Sequence, residues 1–328
     1  MKQRYLVDLN NEDHWEYPAE FIRPDGSKSE EQRTLFMAEG PDRMYCVTDS
    51  VMYPRHPDDT SNLMMCHEHQ RGWEDFFVDS GSMDLFVNGM KTVVTPGNII
   101  HLQAYEAHGM DFHSPVKYRG FFHGLANYDN QEELYYLRKK NPQIMQDPEF
   151  QRVRQTGLTG GGRDFYNREA PVWEEVPIEQ NPSVRNISRP LATYKLDGIT
   201  MKQITRRWEN GGRCEMWAAE MVKGFTAATG EYINHSELYY ITAGQVKFVI
   251  WGEEVVAGPE CVVKVPALRN FSLTVLEDAV MYDVGGSPRW QAYFEDRASI
   301  LKFDPARAKD PATFAALREK FGVQLSIG

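Results

Sequence analysis

The sequence predicts an all-β protein made of two similar halves joined by a short helical connector. Short runs of strand-forming residues follow one another closely, for example at 83–87, 91–94 and 99–102. Turn residues separate these runs, and Asn88-Gly89 between two of them is a strong hairpin signal. Many short strands at close spacing indicate an antiparallel barrel or sandwich.

An internal repeat indicates that the chain contains two copies of one fold. Displacing the sequence by 163 positions superposes an acidic residue and two glycines without a gap, namely Glu74 on Glu237, Gly81 on Gly244 and Gly89 on Gly252. The same displacement places the apolar run at 85–87 on the run at 248–250. We therefore expect one barrel in each half.

A histidine-rich stretch carries the candidate chemistry. Strand side chains alternate between faces, so His67 and His69 point to the same side. Glu74 lies an odd number of positions beyond His69 and needs a turn or bulge near Gly72 to rejoin that face. His108 would add a third nitrogen from another strand. An isolated His-x-His pair is more often surface or core decoration, but this constellation is longer.

Three imidazoles and one carboxylate predict a transition-metal site. Such a ligand set suits Fe(II), Mn(II), Zn(II), Ni(II) or Cu(II), and it does not suit a hard all-oxygen cation such as Ca(II). We expect one divalent ion per chain, with Fe(II) as the first candidate.

These spacings resemble the two motifs of the cupin superfamily. His67, His69 and Glu74 match HxHxxxxE, Gly81 follows in register, and His108 closes a run that begins at Gly97. The sequence departs from the cupin pattern at local turns, with Ser61 and Asn62 where a glycine is typical, Asn98 for aspartate, and Gln103-Ala104-Tyr105 for Pro-x-Gly. The resemblance, which covers residues 60–125, implies cupin barrels of the double-stranded β-helix or jelly-roll type.

The second copy lacks the metal ligands. At the 163-residue displacement His67, His69 and His108 correspond to Gly230, Tyr232 and Phe271. Glu237 alone remains, and a single carboxylate does not hold a transition metal. We expect a degenerate barrel with a structural or interface role.

Five segments follow from these features. Residues 1–40, with prolines and a charged patch, form an N-terminal arm of the kind that packs on a partner subunit or the far barrel. The remaining segments are the metal-binding barrel at 41–127, the helical connector at 128–190, the degenerate barrel at 191–290, and a tail with a helix at 291–328. Asp310-Pro311 caps that helix and Gly322 ends it.

Charge and composition exclude several partner classes. The net charge of -11 argues against nucleic acid and against an anionic membrane surface. The first residues lack the apolar run of a signal peptide, and no apolar stretch is long enough to span a membrane. We expect a cytoplasmic homo-oligomer that acts on a small molecule.

Strand alternation also predicts the residues around the metal. The inward positions form an apolar wall for a flat substrate, although the same residues could simply be core: Met65, Phe76, Val78, Met110 and Phe112. The candidate catalytic residues are Glu74, Tyr105 and His123. Further candidates for acid, base or supporting roles are His101, Glu106, His113 and Arg119.

The chain resembles quercetinase-type and other ring-cleaving bicupin dioxygenases. By that resemblance the enzyme would bind a phenolic, enolic or flavonoid-like substrate through its oxygen, expose it to dioxygen and cleave a C–C bond. One alternative is a non-oxidative metal-dependent cupin, such as a keto-sugar or uronate isomerase, a lyase or a hydrolase. A second alternative is a non-enzymatic cupin that binds a small molecule.

Overall fold

The computed structural model describes most of the chain outside several loops. The described residues are 4–15, 17–22, 26–36, 45–54, 72–123, 141, 143–144, 147–149, 174–210, 215–230, 236–285 and 288–325. They separate into two compact units, an N-terminal unit of residues 15–186 and a C-terminal unit of residues 1–14 and 187–328. None of the described helices is long and apolar enough to cross a membrane.

Strands dominate both units. The described strands before residue 187 are β1 (Leu6–Asp8), β2 (Tyr17–Ile22), β3 (Lys28–Phe36), β4 (Tyr45–Met52), β5 (Trp73–Ser80), β6 (Met83–Val87), β7 (Met90–Val94), β8 (Ile99–Leu102), β9 (His108–Phe112), β10 (Val116–His123), β11 (Glu174–Glu175) and β12 (Val184–Arg185).

The rest of the chain adds nine described strands and two α-helices. They are β13 (Ala192–Leu196), β14 (Ile199–Gln203), β15 (Trp217–Met221), β16 (Thr226–Thr229), β17 (Glu237–Ile250), β18 (Glu253–Ala257), β19 (Cys261–Val265), β20 (Phe271–Asp283), α1 (Pro288–Phe303), α2 (Pro311–Phe321) and β21 (Val323–Leu325). The predicted predominance of β-strands is confirmed.

The N-terminal unit contains two sheets. The larger has seven strands in the order β12-β8-β5-β10-β4-β3-β2, and the smaller has four in the order β11-β7-β6-β9. The inner faces of both sheets contribute to one apolar cluster, which includes Phe76 from β5, Leu85 from β6 and Ile100 from β8. Strand β5 therefore lies in the middle of the larger sheet with its inward side chains in this core.

The C-terminal unit is built on a ten-stranded sheet. Its main path runs β1-β19-β17-β20-β15-β14-β13, and β16, β18 and β21 pair beside it. Aromatic side chains from α1, including Trp290 and Phe294, pack into the same apolar cluster as the inner faces of the strands. In α2 the Asp310 side chain accepts a hydrogen bond from the Ala312 amide at 2.9 Å, and Gly322 ends the helix in a left-handed conformation.

The described part of the predicted N-terminal arm, residues 1–40, contains three strands. Strand β1 pairs with β19, and the hairpin β2–β3 extends the seven-stranded sheet through β4. The charged patch of this segment lies on the hairpin, where Lys28 bridges Glu20 at 2.9 Å and Glu31 at 2.5 Å. An edge hairpin with a solvated face carries charged residues at strand positions. These charges obscure the alternation of apolar and polar residues that marks a strand in a sequence. The helical connector at 128–190 lies mostly outside the described residues.

The two units repeat the same backbone geometry. Left-handed residues recur at the 163-residue displacement, in the pairs Gly81 and Gly244, Asn88 and Trp251, Gly89 and Gly252, Gly97 and Glu260, and Tyr105 and Leu268. Strand register repeats as well, because Phe76 pairs with Gly120 and Tyr239 pairs with Asp283. The internal repeat inferred from sequence therefore extends to strand pairing.

Gly81 provides a test of this shared framework. Its φ of +84° is unfavourable for other residues, and a Cβ there would lie 2.3 Å from the carbonyl oxygen of Pro115. Gly97 has a similar φ of +80° but open space around it. We expect Gly81→Ala to lower the free energy of unfolding by about 2–4 kcal/mol and Gly97→Ala by only about 1–2 kcal/mol. Urea denaturation of both variants would measure the difference, and equal losses would contradict the close approach.

Candidate metal centre

Strand β5 places Glu74 inside the N-terminal unit. Glu74 pairs with Leu102 of β8 and Phe122 of β10, and side chains of paired residues share a face of the sheet. Both neighbours belong to the apolar cluster, and Glu74 is 4% exposed. A carboxylate in such a place needs a partner that compensates its charge.

His108 approaches the same carboxylate from the smaller sheet. It begins β9, pairs with Val87 of β6, and is 1% exposed. Its Nε2 atom lies 3.5 Å from Glu74 Oε2. Its Nδ1 atom lies 2.8 Å from the carbonyl oxygen of Glu106, so Nδ1 carries the hydrogen and donates it. The Nε2 atom consequently faces the carboxylate.

The arrangement of His108 and Glu74 fits two ligands of one transition metal. Two atoms that each lie about 2.1 Å from an ion at a near-tetrahedral angle are about 3.4 Å apart. A ligating imidazole also typically donates its other N–H to a carbonyl, which fixes the tautomer. Both conditions hold here. The other two predicted ligands, His67 and His69, lie outside the described residues, and no set of three His, Cys, Asp or Glu within the described part is arranged for a metal.

The loop before His108 is organised by Glu106. Its carboxylate accepts hydrogen bonds from the Gln103 amide at 2.8 Å and from the Asn88 side chain at 3.4 Å. Burial raises the pKa of Glu106. Tyr105 adopts φ +67° in this loop and is 67% exposed. Glu106 thus supports the loop and the His108 tautomer, while Tyr105 stands at the surface beside them.

The apolar wall predicted from alternation lies on the inner face. Phe76 and Val78 are buried in the cluster that surrounds Glu74, and Met110 and Phe112 pack against that cluster while partly exposed. The Phe76 ring meets the ring of Tyr118 edge-on, with centroids 4.9 Å apart. Met65 lies outside the described residues. The interior near Glu74 is therefore lined with aromatic and aliphatic side chains on β5 and β9.

Strands β3 and β4 contribute polar side chains to the interior, and these were not predicted from the sequence. Pairing through β10 puts the alternate residues of β4 on the same face as Glu74. This polar wall consists of buried residues, namely Gln32, Thr34, Thr48 and Ser50. The alternation of Cys46, Thr48 and Ser50 along β4 was the available signal. Burial and the nearby charge of Glu74 raise the pKa of the Cys46 thiol, so it stays neutral.

Several other predicted residues lie on the opposite, outer face of the larger sheet. Asp75 points away from Glu74 and contacts His101 Nδ1 at 2.7 Å through Oδ1 and His123 Nε2 at 3.4 Å through Oδ2. The ring of Trp73 stacks on His123 with centroids 4.7 Å apart. The three polar side chains are at most 2% exposed. Strand alternation places His123 and His101 away from Glu74, so the structure does not bring them to the candidate centre.

Arg119 and His113 are also engaged elsewhere. Arg119 lies on the outer face and forms a buried ion pair with Asp49, which Arg33 also contacts. The His113 side chain is 44% exposed, and its Nε2 atom lies 3.1 Å from Asp84 Oδ2. Neither side chain joins Glu74 and His108 in the interior.

The C-terminal unit fills the corresponding position with an arginine. Glu237, the counterpart of Glu74, is 1% exposed and accepts a hydrogen bond from Arg289 Nη2 at 2.6 Å. The Tyr239 hydroxyl donates to its other oxygen at 3.0 Å. Arg289 comes from the first turn of α1 and also donates to the Gly230 carbonyl at 2.7 Å. A guanidinium therefore compensates this carboxylate, and the residues do not fit a second metal.

Solved structures with a similar fold span nearly the whole chain. Oxalate decarboxylase from Lactobacillus farciminis in complex with formate is 10% identical, with 96% of each chain covered and a TM-score of 0.50. A tryptophan-to-tyrosine variant of the Bacillus subtilis oxalate decarboxylase is 11% identical, covers 99% of this chain and 89% of its own, and has a TM-score of 0.51. The overall fold of the chain is similar to that of these two structures.

This likeness concerns the fold alone. A cupin 2 conserved barrel domain protein from Leptotrichia buccalis is 10% identical over 86% of this chain and 96% of its own, with a TM-score of 0.46. No protein-family model and no curated protein sequence matches the chain. These likenesses show a fold and do not assign an activity to this chain.

The Arg289–Glu237 pair predicts a large effect of one substitution. We expect Arg289→Leu to lower the free energy of unfolding by about 3–5 kcal/mol, because it leaves a buried carboxylate without its cation. Adding Glu237→Gln should restore much of the loss. Lys320→Ala, which removes an exposed pair with Asp296, serves as control and should change stability by less than about 1 kcal/mol. Chemical denaturation measures all three, and an Arg289→Leu loss as small as the control would contradict the pairing.

Proposed function

We propose that the chain is a metal-dependent bicupin enzyme with one divalent transition metal, held by His67, His69, Glu74 and His108. The observation that supports this most directly is the approach of His108 Nε2 to Glu74 Oε2, with Nδ1 fixed by the Glu106 carbonyl. Fe(II) is the first candidate ion, and Mn, Ni, Cu or Zn suit the same ligand types.

The second half of the chain supplies no metal in this proposal. Each half forms one barrel, with a helical connector between them, and the C-terminal barrel is the structural copy. Its carboxylate Glu237 is neutralised by Arg289 from α1. The absence of the histidine set at the repeat positions supports the same assignment.

We propose that the reaction is a dioxygenase cleavage of a phenolic, enolic or flavonoid-like small molecule. A bound metal would supply Lewis acidity and a template for the reacting groups. Glu74, buried beside His108, is placed to take a proton from the substrate. Phe76, Val78, Met110 and Phe112 would hold the rings of the substrate and exclude water. Tyr105 stands on the loop that leads to His108, so we place it at the entrance as a substrate contact.

A non-oxidative reaction is the second candidate. The polar wall of Gln32, Thr34, Thr48 and Ser50 on the inner face favours a substrate with several polar groups. An isomerase, lyase or hydrolase that polarises a carbonyl through the metal would use such a surface. The two candidates differ in their need for dioxygen, which makes them separable by experiment.

The metal assignment predicts the effect of removing one ligand. Protein purified without added metal should contain about one equivalent, and His108→Ala should lower its affinity at least 10–100-fold, the range known for losses among supporting residues. His69→Ala should behave in the same way. His113→Ala is the control, because the His113 side chain is 44% exposed and pairs with Asp84. Elemental analysis measures the metal content per chain. Two equivalents of metal, or one equivalent that remains after both ligand substitutions, would contradict the assignment.

The dioxygenase reaction predicts oxygen uptake with phenolic substrates. Product mass should show both oxygen atoms incorporated. Phe76→Ala should weaken an aromatic substrate by about 1–3 kcal/mol through lost burial and stacking, while metal content is unchanged. Oxygen-electrode assays on a phenol panel measure this. Turnover that proceeds equally well under argon would exclude the dioxygenase and favour the non-oxidative candidate.

A further inference from the structure

Two buried hydroxyls on β4 face the interior without hydrogen bonds. Thr48 and Ser50 are 0% exposed, and neither Thr48 Oγ1 nor Ser50 Oγ has a hydrogen-bond partner among the described residues. A buried hydroxyl without a hydrogen-bond partner destabilises the folded state. Two such groups on one strand face therefore need hydrogen-bond partners from beyond the described residues.

Strand register places these hydroxyls on the same face as Glu74. Along β10, Phe122 pairs with both Glu74 and Cys46, Gly120 with both Phe76 and Thr48, and Tyr118 with both Val78 and Ser50. Paired side chains share a face, so β4 and β5 present their alternate residues to one interior.

The separation between the carboxylate and the hydroxyls suits one small molecule. Strands β4 and β5 are two steps apart in the sheet, which is about 10 Å, and Thr48 lies one inward position further along, about 7 Å. The α carbons of Glu74 and Thr48 are therefore about 12 Å apart, and the inward side chains shorten the gap. A ligand that contacts both the metal and the β4 hydroxyls therefore needs a length of about one to three rings.

The hydroxyls are specific to the N-terminal unit. In the C-terminal unit Trp217 pairs with Asp283, which is the counterpart of Gly120, so Trp217 corresponds to Thr48. Likewise Ala219 pairs with Met281 and corresponds to Ser50. The framework thus accepts an apolar side chain at both positions. Their polarity in the unit with the candidate metal centre is not required by the fold.

We propose that Thr48 and Ser50 form a polar subsite that binds a second hydroxyl or carbonyl oxygen of the substrate, remote from its metal-binding oxygen. This rests on the proposed metal enzyme and specifies its substrate as an oxygenated ring compound polar at both ends. Each hydroxyl can donate and accept one hydrogen bond, so the subsite takes either group. The apolar wall of Phe76 and Val78 holds the intervening rings.

The test uses Thr48→Val, which keeps the shape of the side chain, and Ser50→Ala, which copies the C-terminal unit. The probes are a flavonol with no hydroxyl on its phenyl ring and its para-hydroxyphenyl counterpart, titrated against metal-loaded protein by fluorescence. Wild-type protein should bind the hydroxylated probe roughly 3–10-fold more tightly, and each variant should lose that preference with metal content unchanged. Each should also raise the melting temperature by roughly 2–4 °C, because an unsatisfied hydroxyl is removed.

Thr229→Val is the matched control, since Thr229 Oγ1 is likewise buried and without a partner among the described residues, but lies in the C-terminal unit. It should raise the melting temperature without altering the preference. A preference that survives both variants, or a lowered melting temperature in them, would overturn the subsite. Metal-loaded wild type that binds both probes equally, or neither, would overturn it while leaving the metal site standing. Wild type that takes up no metal would instead reject the proposed function, and the subsite with it.

Discussion

The alternation of side chains along β5 is the constraint on which the N-terminal unit depends. Glu74 and Asp75 are adjacent carboxylates, both almost fully buried, and the pleat sends them to opposite faces of the sheet. Asp75 is held by His101 and His123 from the two neighbouring strands, and despite its burial these contacts lower its pKa and keep it ionised. A shift of one residue in the pairing of β5 with its neighbours would exchange the environments of Glu74 and Asp75. The outer cluster therefore fixes the register that delivers Glu74 to His108.

The two units show how one framework accommodates different chemistry. Left-handed turns and strand register repeat at a constant displacement, although the interior residues differ. Where the N-terminal unit has the small residues Thr48 and Gly120, the C-terminal unit has Trp217 and Asp283. The repeated features are those that the backbone needs. The divergent residues lie on the inner face, where the side chains of the two units differ in size and polarity.

The sequence predicted those parts that depend on local spacing. The positions of Glu74 and His108, and the repeat itself, follow from motif spacing and glycines that the backbone requires. The orientation of His123 could not be predicted, because it depends on the register between β5 and β10. Charges on the hairpin β2–β3 concealed two strands. Arg289 was also missed, since it reaches Glu237 from a helix far along the chain and belongs to no motif.

The guanidinium of Arg289 has a consequence for how the protein responds to its surroundings. A metal ion is an exchangeable component whose presence depends on supply and on competing chelators, whereas an arginine is covalently part of the chain and always charged. The C-terminal unit thus carries a permanent cation at its buried carboxylate. If the proposed metal is bound, chelation should act on the N-terminal half, while the buried carboxylate Glu237 of the C-terminal half keeps its arginine.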